Sequence, residues 1–292
     1  MLAGRVALTT ALRVPPRPMI AAMTALAPVA AADAGIQFTC WVAASLLQTE
    51  KFYDISASLT YILCVIVSRR KGVRSTRSNV NSVLVVLWAT RLGSFLLWRV
   101  LRDGGDTRFD SVKTRPMRFL VFWAVQALWI FITALPVFLS NSKVKSSEES
   151  MEEAEPKASA RDSRLCWRDV AGWALWVLGF VVQTTADVQK RMFRADPGNR
   201  DHWIDVGLWR LAQHPNYFGE MCMWWGIFLS CSTALRGWEL LTVMSPCFVS
   251  FLLLKVSGVP ILRRMGMKRW GHLKEYREYL RTTPLLVPLP RR

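Results

Sequence analysis

Between Gly207 and Ser230 the chain reads GLWRLAQHPNYFGEMCMWWGIFLS, a polar stretch that turns apolar with a histidine, an asparagine and a glutamate at the junction. Proline is tolerated in the first helical turn, where its missing N–H would be unpaired anyway, so His214-Pro215 predicts a helix beginning at Pro215. Asn216 and Glu220 then share one face, and Trp224 continues it. A helix N-terminus beside an amide and a carboxylate can hold a polar ligand, and ionisable groups inside a membrane are costly enough to mark function. The bland alternative is that Glu220 pairs with an arginine and His214 only caps the helix. Upstream, Gln183, Asp187, Arg191 and Arg194 fall at spacings of four, four and three on one helical face. Arginine forks bind phosphate bidentately, so Arg191 and Arg194 can hold a nucleotide's phosphates while Asp187 orients a guanidinium or a sugar hydroxyl. A solvated face with one Asp–Arg pair competes with that reading. Arg91 lies in the middle of SVLVVLWATRLGSFLLWRV and needs a partner, for which Glu50 and Asp54 are the candidates.

The elements that must position these groups are apolar. Charge-free runs cover Met19–Ala32, Ala34–Thr49, Ile55–Ser68, Phe119–Ser142, Val170–Ala186, Met221–Leu235 and Leu240–Leu254. A helix needs about 20 mostly apolar residues to cross a bilayer, and most of these runs reach that length with their aromatic, amide or snorkelling flanks. The sequence therefore predicts an all-α, polytopic integral membrane protein of about six or seven transmembrane helices.

Of 292 residues, 52% are hydrophobic, and the net charge is +17. The basic residues cluster beside apolar runs, as in SRRKGVRSTR and in the tail after Gly258, without interleaved aromatics. This is a positive-inside pattern and argues against nucleic acid as a partner. The three histidines have no metal-ligand spacing, so no metal site is expected. Cys40, Cys64, Cys222, Cys231 and Cys247 lie in or beside apolar runs with no CxxC pair, which reads as buried free thiols. GxGxxG, Walker, GxSxG and HExxH motifs are missing, so any nucleotide is held outside a Rossmann fold.

Along the chain, residues 1–18 form a basic N-terminal tail, compatible with an organelle-targeting peptide or a disordered arm. Residues 19–140 form an N-terminal membrane half. Residues 141–167, rich in Ser, Glu and Lys, bury too little apolar surface to order and read as a flexible loop. Residues 168–292 form a C-terminal membrane domain with a basic, cytosolic tail, and the short Arg236–Glu239 turn puts the Lys190–Arg210 loop on the same side. Arg69–Arg77 and Arg102–Arg118 are both basic, yet a helix spanning between them puts them on opposite sides.

The opening stretch and KRWGHLKEYREYLRTTPLLVP, together with QTEKFYDISASLTYIL, ATRLGSFLLWRVLRDGGDTRFD and DVQKRMFRADPGN, resemble membrane proteins with a steroid 5α-reductase C-terminal domain, including its large uncharacterised subgroup. The resemblance implies an α-helical, endomembrane enzyme, in the endoplasmic reticulum or elsewhere, that binds NADPH and transfers hydride to the β-carbon of a steroid-like or other lipid enone drawn from the bilayer. The family's cofactor contacts match Asp187, Arg194, Asn216 and Glu220, with Gln183 where the steroid enzymes have asparagine; Arg191, His214 and Tyr217 complete the expected cofactor-binding set. The family's acid and tyrosine that polarise the substrate carbonyl have Glu50 and Tyr53 as nearest matches, the expected catalytic pair. Its cofactor-contacting His and Tyr after the last helix have no counterpart in KVSGVPILRR. A similar His-Pro-x-Tyr segment and proline-ended basic tail occur in isoprenylcysteine carboxyl methyltransferases, so an S-adenosylmethionine-dependent methyltransferase is one alternative. A non-catalytic lipid-binding protein is the other.

Overall fold

A computed structural model describes residues 17–70, 72, 74–106, 109–143 and 164–289. The basic tail, up to residue 16, and residues 144–163 of the Ser/Glu-rich loop lie outside the described residues. The described chain is helical, with no strand among the described residues. Its long helices are α1 (Arg17–Leu46), α2 (Tyr53–Ser68), α3 (Thr76–Asp103), α4 (Pro116–Ser142), α5 (Trp167–Ala195) and α6 (Pro215–Cys231). An apolar segment, Gly237–Trp270, follows and contains α7 (Met244–Phe251), a π-helical turn (Leu252–Val256) and α8 (Val259–Trp270), before the terminal α9 (Lys274–Thr282).

Local chemistry sets the helix ends. The Ser75 hydroxyl accepts the Ser78 N–H to start α3, and Gly104, at φ 82°, closes it in the left-handed region open to glycine. Pro116 and Pro215 stand in the first turns of α4 and α6. The two apolar runs on either side of Asp33 belong to one helix of 30 residues. Asp33 does not interrupt it because it lies on the inner face with Val29 and Gln37, one turn away on either side, and all three are buried.

Among the described residues, five segments are long and apolar enough to cross a membrane: Met19–Leu46, Thr76–Asp103, Pro116–Ser142, Trp167–Ala195 and Gly237–Trp270. The apolar α2 (16 residues) and α6 (17 residues) pack among them. The molecule is a polytopic all-α membrane protein. Leu59, Leu63 and Ile66 on α2, Val121, Val125 and Leu128 on α4, and Val177, Leu178 and Val181 on α5 are exposed, forming an outer surface that suits lipid. The inner core gathers Tyr61, Trp88, Ile130, Met223, Trp224 and Ile227.

Helices α5 and α6 make the most extensive contact in the bundle. Gly172 meets Gly226 and Gly179 meets Gly219, so closely that a Cβ on Gly172 would fall 2.5 Å from the Gly226 carbonyl oxygen. Small residues at such crossings let membrane helices approach backbone to backbone. At one end of the bundle, Arg77 forms a buried ion pair with Asp169 (2.6 Å), Ser230 donates to Asp169 and Asn81 donates to Ser230. Arg69 there donates to the Ser78 carbonyl and the Ser82 hydroxyl. The basic charge at this end is thus partly committed to packing, which eases the conflict in the charge pattern. At the other end the C-terminal segment folds back on the 201–214 stretch. Gln213 N–H donates to Pro284, His214 N–H to Leu285 and Leu289 N–H to Leu211. These contacts put the tail and the loop after α5 on one side of the molecule.

Candidate functional site at the crossing of α3, α5 and α6

Glu220, in the second turn of α6, is buried and accepts three side-chain N–H groups: Trp224 Nε1 (2.7 Å), Trp88 Nε1 (3.0 Å) and Gln183 Nε2. Gln183 in turn accepts from Arg91 (3.2 Å), Arg91 donates to Asp187 (2.7 Å), and Asn216 donates to the second Asp187 oxygen (3.3 Å). One continuous network therefore joins α3, α5 and α6. Four-residue spacing aligns Gln183 with Asp187 and Asn216 with Glu220, and the glycine crossing presses the two faces together.

The expected partners of Arg91, Glu50 and Asp54, are corrected to Asp187 and Gln183. Glu50 accepts the Asp106 N–H (3.0 Å) beyond the far end of α3, roughly 20 Å from Arg91 at 1.5 Å of rise per residue. Asp54 faces Arg99 at 3.5 Å. Glu50 also faces Lys113 (3.3 Å), and Tyr53 donates to the Phe122 carbonyl (2.9 Å), so the hydrogen bonds described for the expected catalytic pair tie the N-terminal half together.

Asp187, Gln183, Asn216 and Glu220 are thus brought together. Arg191 and Arg194 continue the α5 face to its exposed end, with no ion pair among the described residues. Arg191 lies over the Trp98 ring at 5.4 Å and Arg102 over the same ring at 4.7 Å. Arg194 lies in the field of Arg102, Arg269 and Arg99 and of the opposite charge of Asp103. A cleft of about 290 Å³ opens between α3 and α5, with Arg91 and Asp187 in its wall and Trp98 and Arg191 beside them.

His214 is the residue before α6, buried and stacked on Tyr217 with ring centroids 5.2 Å apart. Burial, then the charges of Lys190 and Arg263, push its imidazole down to about 4, so it is neutral near pH 7. Its Nδ1 has no partner, and neither do Oδ1 of Asn216 and Oγ1 of Thr184, all buried. Three site residues escaped the sequence reading. Trp88 stands one turn before Arg91 and Thr184 is adjacent to Gln183, signals that were available. Trp98 gave none, because its role depends on which helix lies opposite. Among the described residues no group of three or more His, Cys, Asp and Glu side chains is placed to hold a metal, and all six cysteines are free.

The chain's sequence places it in the steroid 5-alpha-reductase-like superfamily. Within it, the family described as "Protein of unknown function (DUF1295)" matches residues 40–283, and the chain belongs to that family. It is similar to 3-oxo-5-alpha-steroid 4-dehydrogenase 1 of Mus musculus, with 29% identity over 120 residues, 41% of either chain. The Macaca fascicularis protein of the same name is 30% identical over 122 residues, again 41% of either chain. The chain thus spans about 41% of the length of the curated relatives it matches. No solved structure matches it.

Proposed function

We propose that the protein is a membrane-embedded reductase that uses NADPH to saturate a carbon–carbon double bond in a steroid-like or other lipid enone. The observation that carries this reading is the α5–α6 crossing, where Nδ1 of His214, Oδ1 of Asn216 and Oγ1 of Thr184 are buried without partners, while Arg191 and Arg194 on α5 form no ion pair among the described residues. This set fits a dinucleotide. Asn216 Oδ1 can accept an amide N–H. Glu220 Oε1 accepts only Trp224, which leaves an acceptor position for a second such N–H. Arg191 and Arg194 supply forks for phosphates. When bound, NADPH supplies the hydride. The residues themselves orient and exclude water: Arg91 holds Asp187 and Gln183 in place, and Trp88 and Trp224 wall off Glu220 with apolar rings. An endomembrane, the endoplasmic reticulum included, is the compartment proposed for it.

The names of the relatives support a reductase over a methyltransferase, and arginines with no ion pair among the described residues suit a dinucleotide better than a phosphate-free, cationic sulfonium nucleoside. Titration of the purified protein with NADPH, read by energy transfer from tryptophan to the nicotinamide, tests the reading. Saturable NADPH binding and none of S-adenosylmethionine are expected. S-adenosylmethionine binding weakened by Asn216→Ala would establish the methyltransferase instead, and binding of neither would establish a non-catalytic role.

A further inference from the structure

The last apolar segment, Gly237–Trp270, has 34 residues. A straight helix of that length is roughly 50 Å long, against about 30 Å of hydrocarbon in a bilayer, so a good part of it cannot lie across the membrane. The chain marks where its direction changes. The π-helical turn Leu252–Val256 runs into Gly258, whose backbone (φ −93°, ψ −98°) is not helical, and Pro260 follows in the first turn of α8. Such turns, glycine and proline are the usual causes of a sharp bend. Before the bend the chain is free of charge from Leu240 to Leu254 and exposes Leu241, Met244 and Phe251. After it, α8 carries Arg263, Arg264, Lys268 and Arg269 and no acid.

Two faces of α8 differ in what they meet. Val259 and Gly266 are buried, and a Cβ on Gly266 would collide with the Tyr276 hydroxyl, so this face is seated on α9. On the opposite side Ile261, Arg264, Met265 and Lys268 follow one another at helical spacing and are all exposed. Arg269 turns back to the loop after α5, where it donates to the Arg200 carbonyl and faces Asp201 at 3.4 Å. Arg264 and Lys268 have no ion pair among the described residues. Standing one turn apart they repel each other, and no acidic side chain on the helix offsets them.

We propose that this outer face of α8 lies at the membrane surface and binds the headgroups of anionic phospholipids, with Ile261 and Met265 entering the acyl boundary and Arg264 and Lys268 meeting the phosphates. A helix that interleaves exposed apolar and basic side chains and carries no acid suits the plane of the interface. The occupant is a lipid rather than a soluble anion, because half of the face is apolar. It is an anionic lipid rather than a zwitterionic one, because two cations without counter-charges meet it. Arg269 and Trp270 tie the end of α8 to the Arg200 and Asp201 carbonyls, so the anchor also sets how the loop after α5 lies against the bilayer. The site does not depend on the nucleotide reading.

The test is native mass spectrometry of the full-length protein, released from detergent micelles that hold equal amounts of phosphatidylserine and phosphatidylcholine with the same acyl chains. The lipid retained on the wild type should favour phosphatidylserine at least about tenfold, the order expected of two basic side chains at a membrane surface. Arg264→Gln combined with Lys268→Gln should bring the two lipids to within about twofold of each other. Arg168→Gln, which removes an exposed arginine at the other end of the bundle, should leave the preference as in the wild type. Glycerophosphoserine, the headgroup without its chains, should not displace the retained lipid at about a hundredfold excess, because the chains carry much of the affinity. Equal retention of the two lipids by the wild type overturns the proposal whether or not the variants fold. A wild-type preference in the double variant overturns it too, as does an equal loss in Arg168→Gln, and displacement by glycerophosphoserine would show a plain anion site in place of a lipid seat.

Discussion

Glu220 ties three helices together and, on the proposed reading, serves the ligand as well. Its carboxylate takes N–H groups from α3, α5 and α6, so removing its charge disturbs all three helices. Glu220→Gln turns an amide NH₂ toward an indole N–H, a mismatch costing about 1–3 kcal/mol. A lower melting temperature by intrinsic fluorescence is expected, with NADPH affinity reduced about tenfold or more; an unchanged melting temperature would rule out this network as drawn. Arg194 is the opposite case, exposed and without an ion pair among the described residues. On the proposed reading Arg194→Ala removes a phosphate contact worth about 1.5–3 kcal/mol, so NADPH affinity should fall about ten- to a hundred-fold with the melting temperature unmoved. His214 adds a pH dependence. Its pKa is about 4 in the fold against 6.5 when unperturbed, so the unfolded chain binds the extra proton between those values. Its contribution is complete above pH 6.5 and is lost as pH falls toward 4, up to about 3 kcal/mol. Melting temperatures measured from pH 7 to pH 4.5 should drop more steeply for the wild type than for His214→Gln.

At the scale of helices, the site rests on how closely α5 and α6 approach. A Cβ on Gly219 would lie 2.5 Å from the Gly179 carbonyl oxygen and 2.7 Å from the Gln183 nitrogen, so Gly219→Ala forces the helices apart where Gln183 reaches Glu220. Stability and NADPH binding should fall together in that variant, whereas Gly35→Ala, whose Cβ meets nothing within 4 Å, should leave both unchanged. Equal behaviour of the two variants would show that the glycine crossing does not set the site. Much of this was legible in the chain itself. His214-Pro215 marked the start of α6, and the spacing of Gln183, Asp187, Asn216 and Glu220 marked two polar faces. Their meeting was not legible, because the matching seven-residue spacings Gly172–Gly179 and Gly219–Gly226 acquire meaning only when two antiparallel helices are laid together. The same limit hid the partner of Arg91. Asp187 lies 96 positions away along the chain, and no local pattern links them. Asp33 parts two charge-free runs of the sequence yet lies inside one helix, since charge alone does not tell an inner face from a loop.

For the whole molecule, the two ends of the bundle differ in what their charges do. At one end Arg77 is committed to Asp169 and Lys143 to Glu239 (2.7 Å), and Asn141 donates to Ser68 (3.0 Å). The other end carries Arg191 and Arg194 at the close of α5, and the tail there is fastened to the preceding loop. Trp270 Nε1 donates to the Asp201 carbonyl (2.7 Å), Tyr279 donates to the Trp209 carbonyl (2.8 Å), and Gln213 Nε2 donates to the Thr283 carbonyl (2.7 Å). Uncommitted basic residues favour the cytosolic side, so this end, with the residues proposed to hold the nucleotide, is expected to face the cytosol, where NADPH is supplied. In sealed vesicles of known orientation, single cysteines introduced at Asn199 and at Arg277, with the native cysteines replaced by serine, should react with a membrane-impermeant maleimide from the cytosolic side. A cysteine at Arg236, on the turn that links α6 to the Gly237–Trp270 segment, should react only from the opposite side. If positions 199 and 277 label from different sides, the strapped tail is wrong. If both label from the lumenal side, the fold stands, but a nucleotide site open to the cytosol does not.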